Sequence, residues 1–353
     1  MDIITLLTAQ YFQQVDPPSL ALPDGPALVS PTLQSAIYES MFNEDTAWPL
    51  PPAPYQVRVL KTIIARIEES ISDPEEDEIL DSLMEKWASL LSTPKLSALE
   101  QAQKLTYIKY SAPVVSTLSQ TSSTAERKTI ITSENRSLIL SAGTTGFRTW
   151  EAALHLGTFL STTGAGKSLV ENKRVLELGA GTGFLSFLCA KHLGAESVVV
   201  TDREPALIEQ IDDCIGKNGL DKKQIQAGIW EWGMPLQVPS LFEEHGWVGY
   251  DIAVGADLIY DSDIVPLLVS AIRDLFENYS VKEFIIAATV RNEDTFRTFL
   301  EACARNALAV EQIPFQSPPS EAQTGFFHST SIPIRTYRVR SQSRDQGQIL
   351  PSS

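Results

Sequence analysis

Residues 175–190, VLELGAGTGFLSFLCA, constrain this chain more than any other stretch. Val175 to Leu178 form a strand-length apolar run, and Gly179, Gly181 and Gly183 then lead into a helical pattern. Glycine lets the backbone turn sharply and approach a ligand closely, here at a helix N-terminus in the crevice beyond the strand ends of an α/β sheet. The loop is therefore a candidate binding element of a doubly wound fold.

Spacing and charge narrow the ligand. A dinucleotide fingerprint needs G-x-G-x-x-G, whereas this loop reads G-A-G-T-G followed by Phe184, one residue short. Glu177, two residues before the loop, is unfavourable to a pyrophosphate but favourable to a sulfonium and an amino group. The loop thus suits S-adenosylmethionine, with Glu177, Gly179, Gly181 and Gly183 as cofactor-binding candidates. Asp202 closes the second strand about twenty residues beyond the loop, where an acid accepts hydrogen bonds from ribose hydroxyls. The same aspartate would also serve as an ordinary helix N-cap.

From Arg174 onward, strand-length apolar runs alternate with helix-length amphipathic ones. The expected strands are 174–178, 197–201, 224–228, 251–256, 283–289, one near 309–314, and 331–339. Such alternation predicts an α/β fold with a doubly wound, seven-stranded, Rossmann-like parallel sheet and right-handed crossovers. Ala256, which ends the fourth strand, is a further cofactor-binding candidate.

The first part of the chain reads as a helical N-terminal extension. Ile3, Ile4, Leu7, Tyr11 and Val15 recur at helical spacing, as do Val59, Leu60, Ile63, Ile64 and Ile67. A third helix is expected from Pro74 or Glu75 through Leu91, its acidic start favoured by the helix dipole. The Ser/Thr-rich stretch 116–126 marks a linker. It separates a helical domain, 1–125, from a catalytic domain, 126–345, and a tail, 346–353. Residues 128–143, KTIITSENRSLILSAG, read as a hairpin entering the second domain.

Charge and composition limit the partners. With 28 Lys and Arg against 44 Asp and Glu, a net charge of −16 repels phosphate backbones. A basic protein suits the chain better than nucleic acid or an anionic membrane. Cys189, Cys214 and Cys303 show no paired spacing and the four histidines stand far apart, so neither a disulfide framework nor a metal site is expected. The start lacks a basic n-region, and no run approaches the ~20 apolar residues of a membrane span. A cytoplasmic location is the simplest expectation.

Three further segments resemble a known family, the class I protein-lysine methyltransferases of methyltransferase family 16, over roughly residues 137–340. TTGFRTWEAA (144–153) is similar to its T-G-x-x-x-W-[DE]-A-A motif, implying that Trp150 lines the cofactor pocket and Gly146 permits its turn. GIWEWG (228–233) is similar to the segment whose tryptophan lies against the adenine. Trp232, just before Gly233, aligns better than Trp230. DLIYD (257–261) matches the [DE]-x-x-[YF] motif after the fourth strand, implying catalytic roles for Asp257 and Tyr260. The N-P-P-[YF] signature of amide and adenine methyltransferases is missing at that place.

Within the family, the branch that methylates translation elongation factor 2 is the most similar. The helical extension, the SAGTTG entry (141–146) and AATVRNEDTF (287–296), like that branch's T-V-R-N ending of strand five, carry the likeness. One departure is Glu231-Trp232 where that branch commonly has D-W. The resemblance implies methyl transfer to a lysine of a protein substrate, elongation factor 2, with no metal. Asp257 would orient the acceptor amine and Tyr260 would wall its channel. The rival readings are methylation of another protein, a small molecule or nucleic acid, a non-catalytic scaffold, and a dehydrogenase. The extension serves either to recognise the substrate or to cap the sheet.

Overall fold

The structure is a computed structural model and describes residues 1–75, 77–94, 97, 100, 104–114, 127–136, 145–237 and 249–342. Its centre is a seven-stranded sheet of β3 (Arg174–Glu177), β4 (Ser197–Asp202), β5 (Ile225–Ile229), β6 (Ile252–Ala256), β7 (Glu283–Thr289), β8 (Leu308–Ile313) and β9 (Ile334–Ser341). The order across the sheet is β5-β4-β3-β6-β7-β9-β8. Each strand starts and ends within three residues of expectation.

The sheet is not parallel throughout. β9 runs antiparallel to both β7 and β8, between which it inserts. Parallel neighbours need a crossover, usually a helix. The connection 314–333 offers only a three-residue turn at Ser320–Ala322, so the last strand returns reversed.

The two faces follow from alternation along the strands. Val175, Val198, Val200, Val254 and Ile285 join one core cluster, packed under α6 (Glu151–Thr162), α7 (Gly164–Val170), α8 (Phe184–His192) and α9 (Pro205–Lys217). Leu176, Val199, Ala253, Phe284 and Ile286 face the other way, onto α10 (Val265–Asn278) and α11 (Glu293–Arg305). Successive residues of one strand thus feed opposite layers, which is what a doubly wound sheet requires. Cys189, Cys214 and Cys303 are buried free thiols.

The N-terminal helices have a core of their own. Helices α1 (Ile3–Phe12), α2 (Gly25–Leu28), α3 (Pro31–Met41), α4 (Ala53–Glu68) and α5 (Asp81–Ser92) surround Leu7, Tyr11, Ile37, Leu60, Ile63 and Leu83. α5 starts later than expected. The Asp77 carboxylate accepts from the backbone N–H groups of Ser72 and Asp73, an arrangement that competes with helix formation. Glu75, Asp77 and Glu78 therefore lie ahead of α5 rather than on a helix N-terminus. Instead, Gln34 fixes the helix start, its Oε1 accepting from the Leu80 N–H at 2.8 Å.

Of the hairpin expected at 128–143, the structure describes only the first part. Its first run is β2 (Thr129–Glu134), whose partner is β1 (Thr106–Ser111), paired antiparallel. Residues 137–144 and the linker stretch 116–126 lie outside the described residues. The Asn218 side chain extends β2 sideways, its Oδ1 accepting from the Ile131 N–H and its Nδ2 donating to the Ile131 carbonyl. Among the described residues, no helix is long and apolar enough to cross a membrane.

Candidate active site

The glycine loop is held from below by the sheet. The Leu178 N–H donates to the Val254 carbonyl, and the Ala180 N–H donates to the Thr201 carbonyl. Gly179, Gly181 and Gly183 all have positive φ, the left-handed region that glycine enters without steric cost. At Gly181 a Cβ would lie 2.9 Å from the Gly146 carbonyl oxygen, so the loop presses against the backbone ahead of α6.

The two acids flank the loop. Glu177 is 3% exposed, and its Oε2 accepts from the N–H (2.9 Å) and the hydroxyl of Ser186 in the first turn of α8. Burial pushes its carboxyl up to about 8, against the Ser186 hydrogen bonds and aided by the nearby Asp202. Asp202 Oδ2 accepts from the Gly181 N–H at 2.9 Å, and Oδ1 from the Glu204 N–H at 3.1 Å. Burial raises its carboxyl too, opposed by those backbone donors. Both acids resist ionisation through desolvation, which a cationic ligand between them would relieve.

Around these acids lies a cavity of about 350 Å³ at the C-terminal ends of β3, β4 and β6. It brings together nine of the ten expected residues: Trp150, Glu177, Gly179, Gly181, Asp202, Trp232, Ala256, Asp257 and Tyr260. Gly183 is left out. It stands at the N-cap of α8, where a Cβ would meet Ile211 at 3.1 Å and Phe187 at 3.2 Å. Both tryptophans of GIWEWG line the cavity. Trp230 is buried and donates through Nε1 to the Met234 carbonyl at 2.9 Å, while Trp232 is half-buried.

The Asp257 backbone lies in the left-handed region, at φ 54°, which turns its side chain toward the end of β7. Oδ1 accepts from the Thr289 N–H at 2.8 Å. Oδ2 accepts from the Thr289 hydroxyl at 3.1 Å and pairs with the Arg291 guanidinium at 3.2 Å. Tyr260 is 56% exposed at the rim.

Sequence reasoning missed two features. Arg291 lines the cavity and lies 5.3 Å from the Trp150 ring, with Arg148 at 5.2 Å from that ring. Its signal was the arginine of T-V-R-N, read only as a likeness. Thr149 and Thr182 also line the cavity, and their hydroxyls meet at 2.6 Å. No local pattern marks such a long-range pair.

Comparison with known proteins decides the family. Residues 130–306 match the lysine methyltransferase family. The chain is 41% identical to protein-lysine N-methyltransferase EFM3 of Chaetomium thermophilum, over 94% of this chain and 96% of that protein. The chain belongs to the lysine methyltransferase family. Saccharomyces cerevisiae EFM3 is 29% identical over 79% of this chain and 81% of its own length. Human protein-lysine N-methyltransferase EEF2KMT is 27% identical over 52% and 57%.

As a member of this family the protein is an S-adenosylmethionine-dependent protein-lysine methyltransferase. The residues present fit that methyl donor. Buried carboxylates at Glu177 and Asp202 suit a sulfonium, an amino group and ribose hydroxyls, and Trp232 and Leu258 supply apolar surface for a purine.

Proposed function

We propose that this enzyme methylates a lysine of translation elongation factor 2, in the cytoplasm, with residues 126–345 as the catalytic unit, residues 346–353 as a tail and residues 1–125 contributing to substrate recognition. The observation that carries this reading is the extent of the likeness. The 41% identity to a protein-lysine methyltransferase runs over 94% of the chain and so takes in the N-terminal helices as well as the cofactor domain. The T-V-R-N string, now seen to deliver Thr289 and Arg291 to Asp257, adds to it. The charge of −16 favours a basic partner, and three buried thiols suit a reducing compartment.

S-adenosylmethionine supplies an electrophilic methyl group, and the acceptor lysine must meet it as a neutral amine. A lysine ordinarily titrates near ~10.4, so the site must favour loss of its proton. Entry into the cavity beside Trp150 and Tyr260 desolvates the ammonium, and the Arg291 guanidinium, paired with Asp257 and Glu151, offsets the pull of those carboxylates on it. Asp257, fixed by Thr289, aligns the amine, and alignment and proximity supply the main part of the rate enhancement. Trp150, Glu177, Gly179, Gly181, Asp202, Trp232 and Ala256 hold the methyl donor.

Incubation of purified elongation factor 2 with the enzyme and S-adenosylmethionine, followed by peptide mass spectrometry, tests the reading. Methyl groups on one lysine are expected. Transfer to other proteins of a lysate with none to elongation factor 2 would refute the substrate and leave the chemistry standing.

A further inference from the structure

We propose that Glu134 and Arg136 are positioning residues for methyl transfer, tying the cofactor loop to the N-terminal helices through a buried chain of hydrogen bonds that ends on Thr182. Neither residue lines the cofactor cavity. Strand alternation puts both on one side of the chain as it leaves β2, and Glu134 is fully buried.

The Glu134 carboxylate is saturated by named donors. Oε1 accepts from the hydroxyls of Tyr110 (2.6 Å), Thr132 (2.8 Å) and Thr149 (2.7 Å), and Oε2 accepts from Arg136 Nε at 3.0 Å. This fixes the direction of the chain. Thr149 has one hydroxyl proton and gives it to Glu134, so its 2.6 Å contact with Thr182 must be donated by Thr182. Thr182 belongs to the glycine loop, and Thr149 immediately precedes Trp150 of the cavity wall. The same two loops also meet where Gly181 faces Gly146, so one displacement moves both.

At the other end the chain reaches the extension. Arg136 Nη1 donates to the Gln13 carbonyl at 2.7 Å, and Nη2 donates to the Tyr110 hydroxyl at 2.7 Å. Gln13 is the C-cap of α1, where helix carbonyls lack internal partners and attract a cation. The Gln13 side-chain amide grips the Phe327 backbone, accepting its N–H at 2.9 Å and donating to its carbonyl. An ion pair with a fully buried carboxylate and a half-buried arginine is seldom the most stabilising way to fill such a place. A saturated one does hold its neighbours in a single arrangement.

Four versions of the full-length chain test the proposal: Thr149→Val, Thr149→Ser, Glu134→Gln and the Glu134→Gln/Thr149→Val double substitution. The readouts are S-adenosylmethionine affinity by calorimetry, kcat, and thermal unfolding. Thr149→Val should weaken cofactor binding by about tenfold with little change in unfolding temperature, and Thr149→Ser should restore it. Glu134→Gln should weaken binding similarly, and the double variant should be no worse than Glu134→Gln alone, because both remove one linkage. Unchanged cofactor affinity in Thr149→Val, or additive losses in the double variant, would overturn the proposal. Should Glu134→Gln fail to fold, the Thr149→Val and Thr149→Ser pair decides alone. A wild-type protein without affinity for S-adenosylmethionine would sink the cofactor assignment itself, a result distinct from wild-type binding that the variants leave intact.

Discussion

Glu177 and Ser186 bind across the glycine loop. The acid that ends β3 accepts both the N–H and the hydroxyl of a residue in the first turn of α8, so the loop between them is closed at its base. Burial at this place raises the Glu177 carboxyl to about 8 from an ordinary 4.5. Between those values the folded protein keeps a proton that the unfolded chain has lost, so stability falls as pH rises through the window. Cofactor binding should run the other way. A sulfonium beside Glu177 favours the ionised form, so binding releases a proton and tightens with rising pH, by up to about tenfold per unit below pH ~8. Calorimetry across that range, in buffers of different ionisation enthalpy, checks both effects. Affinity that is flat or weakens toward pH ~8 sinks the prediction, and Glu177→Gln should abolish the slope.

The three loop glycines should separate by what surrounds them. All have positive φ, so alanine costs about 1–2 kcal/mol of strain at each. At Gly181 the new Cβ meets a backbone oxygen at 2.9 Å, which cannot move aside without shifting the loop ahead of α6. At Gly179 it meets the Leu258 side chain at 2.7 Å, which can rotate. Gly181→Ala should therefore lose cofactor affinity by more than about tenfold, with Gly179→Ala milder. Gly183→Ala, facing Ile211 and Phe187, should lower the unfolding temperature without a matching loss of affinity. Thermal unfolding beside cofactor titration of the three variants checks the ranking, and equal affinity losses would contradict it.

Much of this was legible in the sequence because it is written locally. Strand-length runs such as Glu283 to Thr289 place their own residues on alternate faces, and the E-L-G-A-G-T-G string carries its turn geometry with it. The reversed β9 was not legible, since alternation of apolar residues is the same for either direction. The pairing of β2 with β1 was not legible either, because TYIKYS lies more than a dozen residues upstream and nothing local marks it as a partner. The Glu134 network escaped for the same reason. Tyr110 and Thr149 reach the Glu134 carboxylate, Thr182 joins through Thr149 and Gln13 through Arg136, and only the fold brings these separate elements together.

Asp257 should be needed for turnover but not for cofactor binding. Its carboxylate is turned toward Thr289 and Arg291 at the end of β7, and its left-handed backbone is one that asparagine also tolerates. Asp257→Asn should therefore keep the fold while removing the charge. A fall in kcat of about a hundredfold is expected, with S-adenosylmethionine affinity changed less than about threefold. Steady-state kinetics and titration of the same preparation check this, and full activity in Asp257→Asn would show that alignment comes from elsewhere.

Arg291 gives a prediction of opposite kind, in pH rather than rate alone. The main-chain N–H of Thr289 still holds Asp257 Oδ1 when the arginine is shortened, so Arg291→Ala leaves that carboxylate in place. What it removes is a positive charge at 3.2 Å from Asp257 Oδ2, on the wall of the cavity where the acceptor lysine must lose its proton. A like charge nearby lowers the pKa of an ammonium, so its loss lets the lysine titrate higher. The acid limb of the kcat profile, which reports the enzyme–substrate complex, should move upward by about one pH unit in Arg291→Ala, and Arg291→Lys, which keeps the charge, should leave it near the wild-type position. A limb that stays fixed in the alanine variant, or moves equally in the lysine variant, would mean that the guanidinium acts by shape rather than by its field.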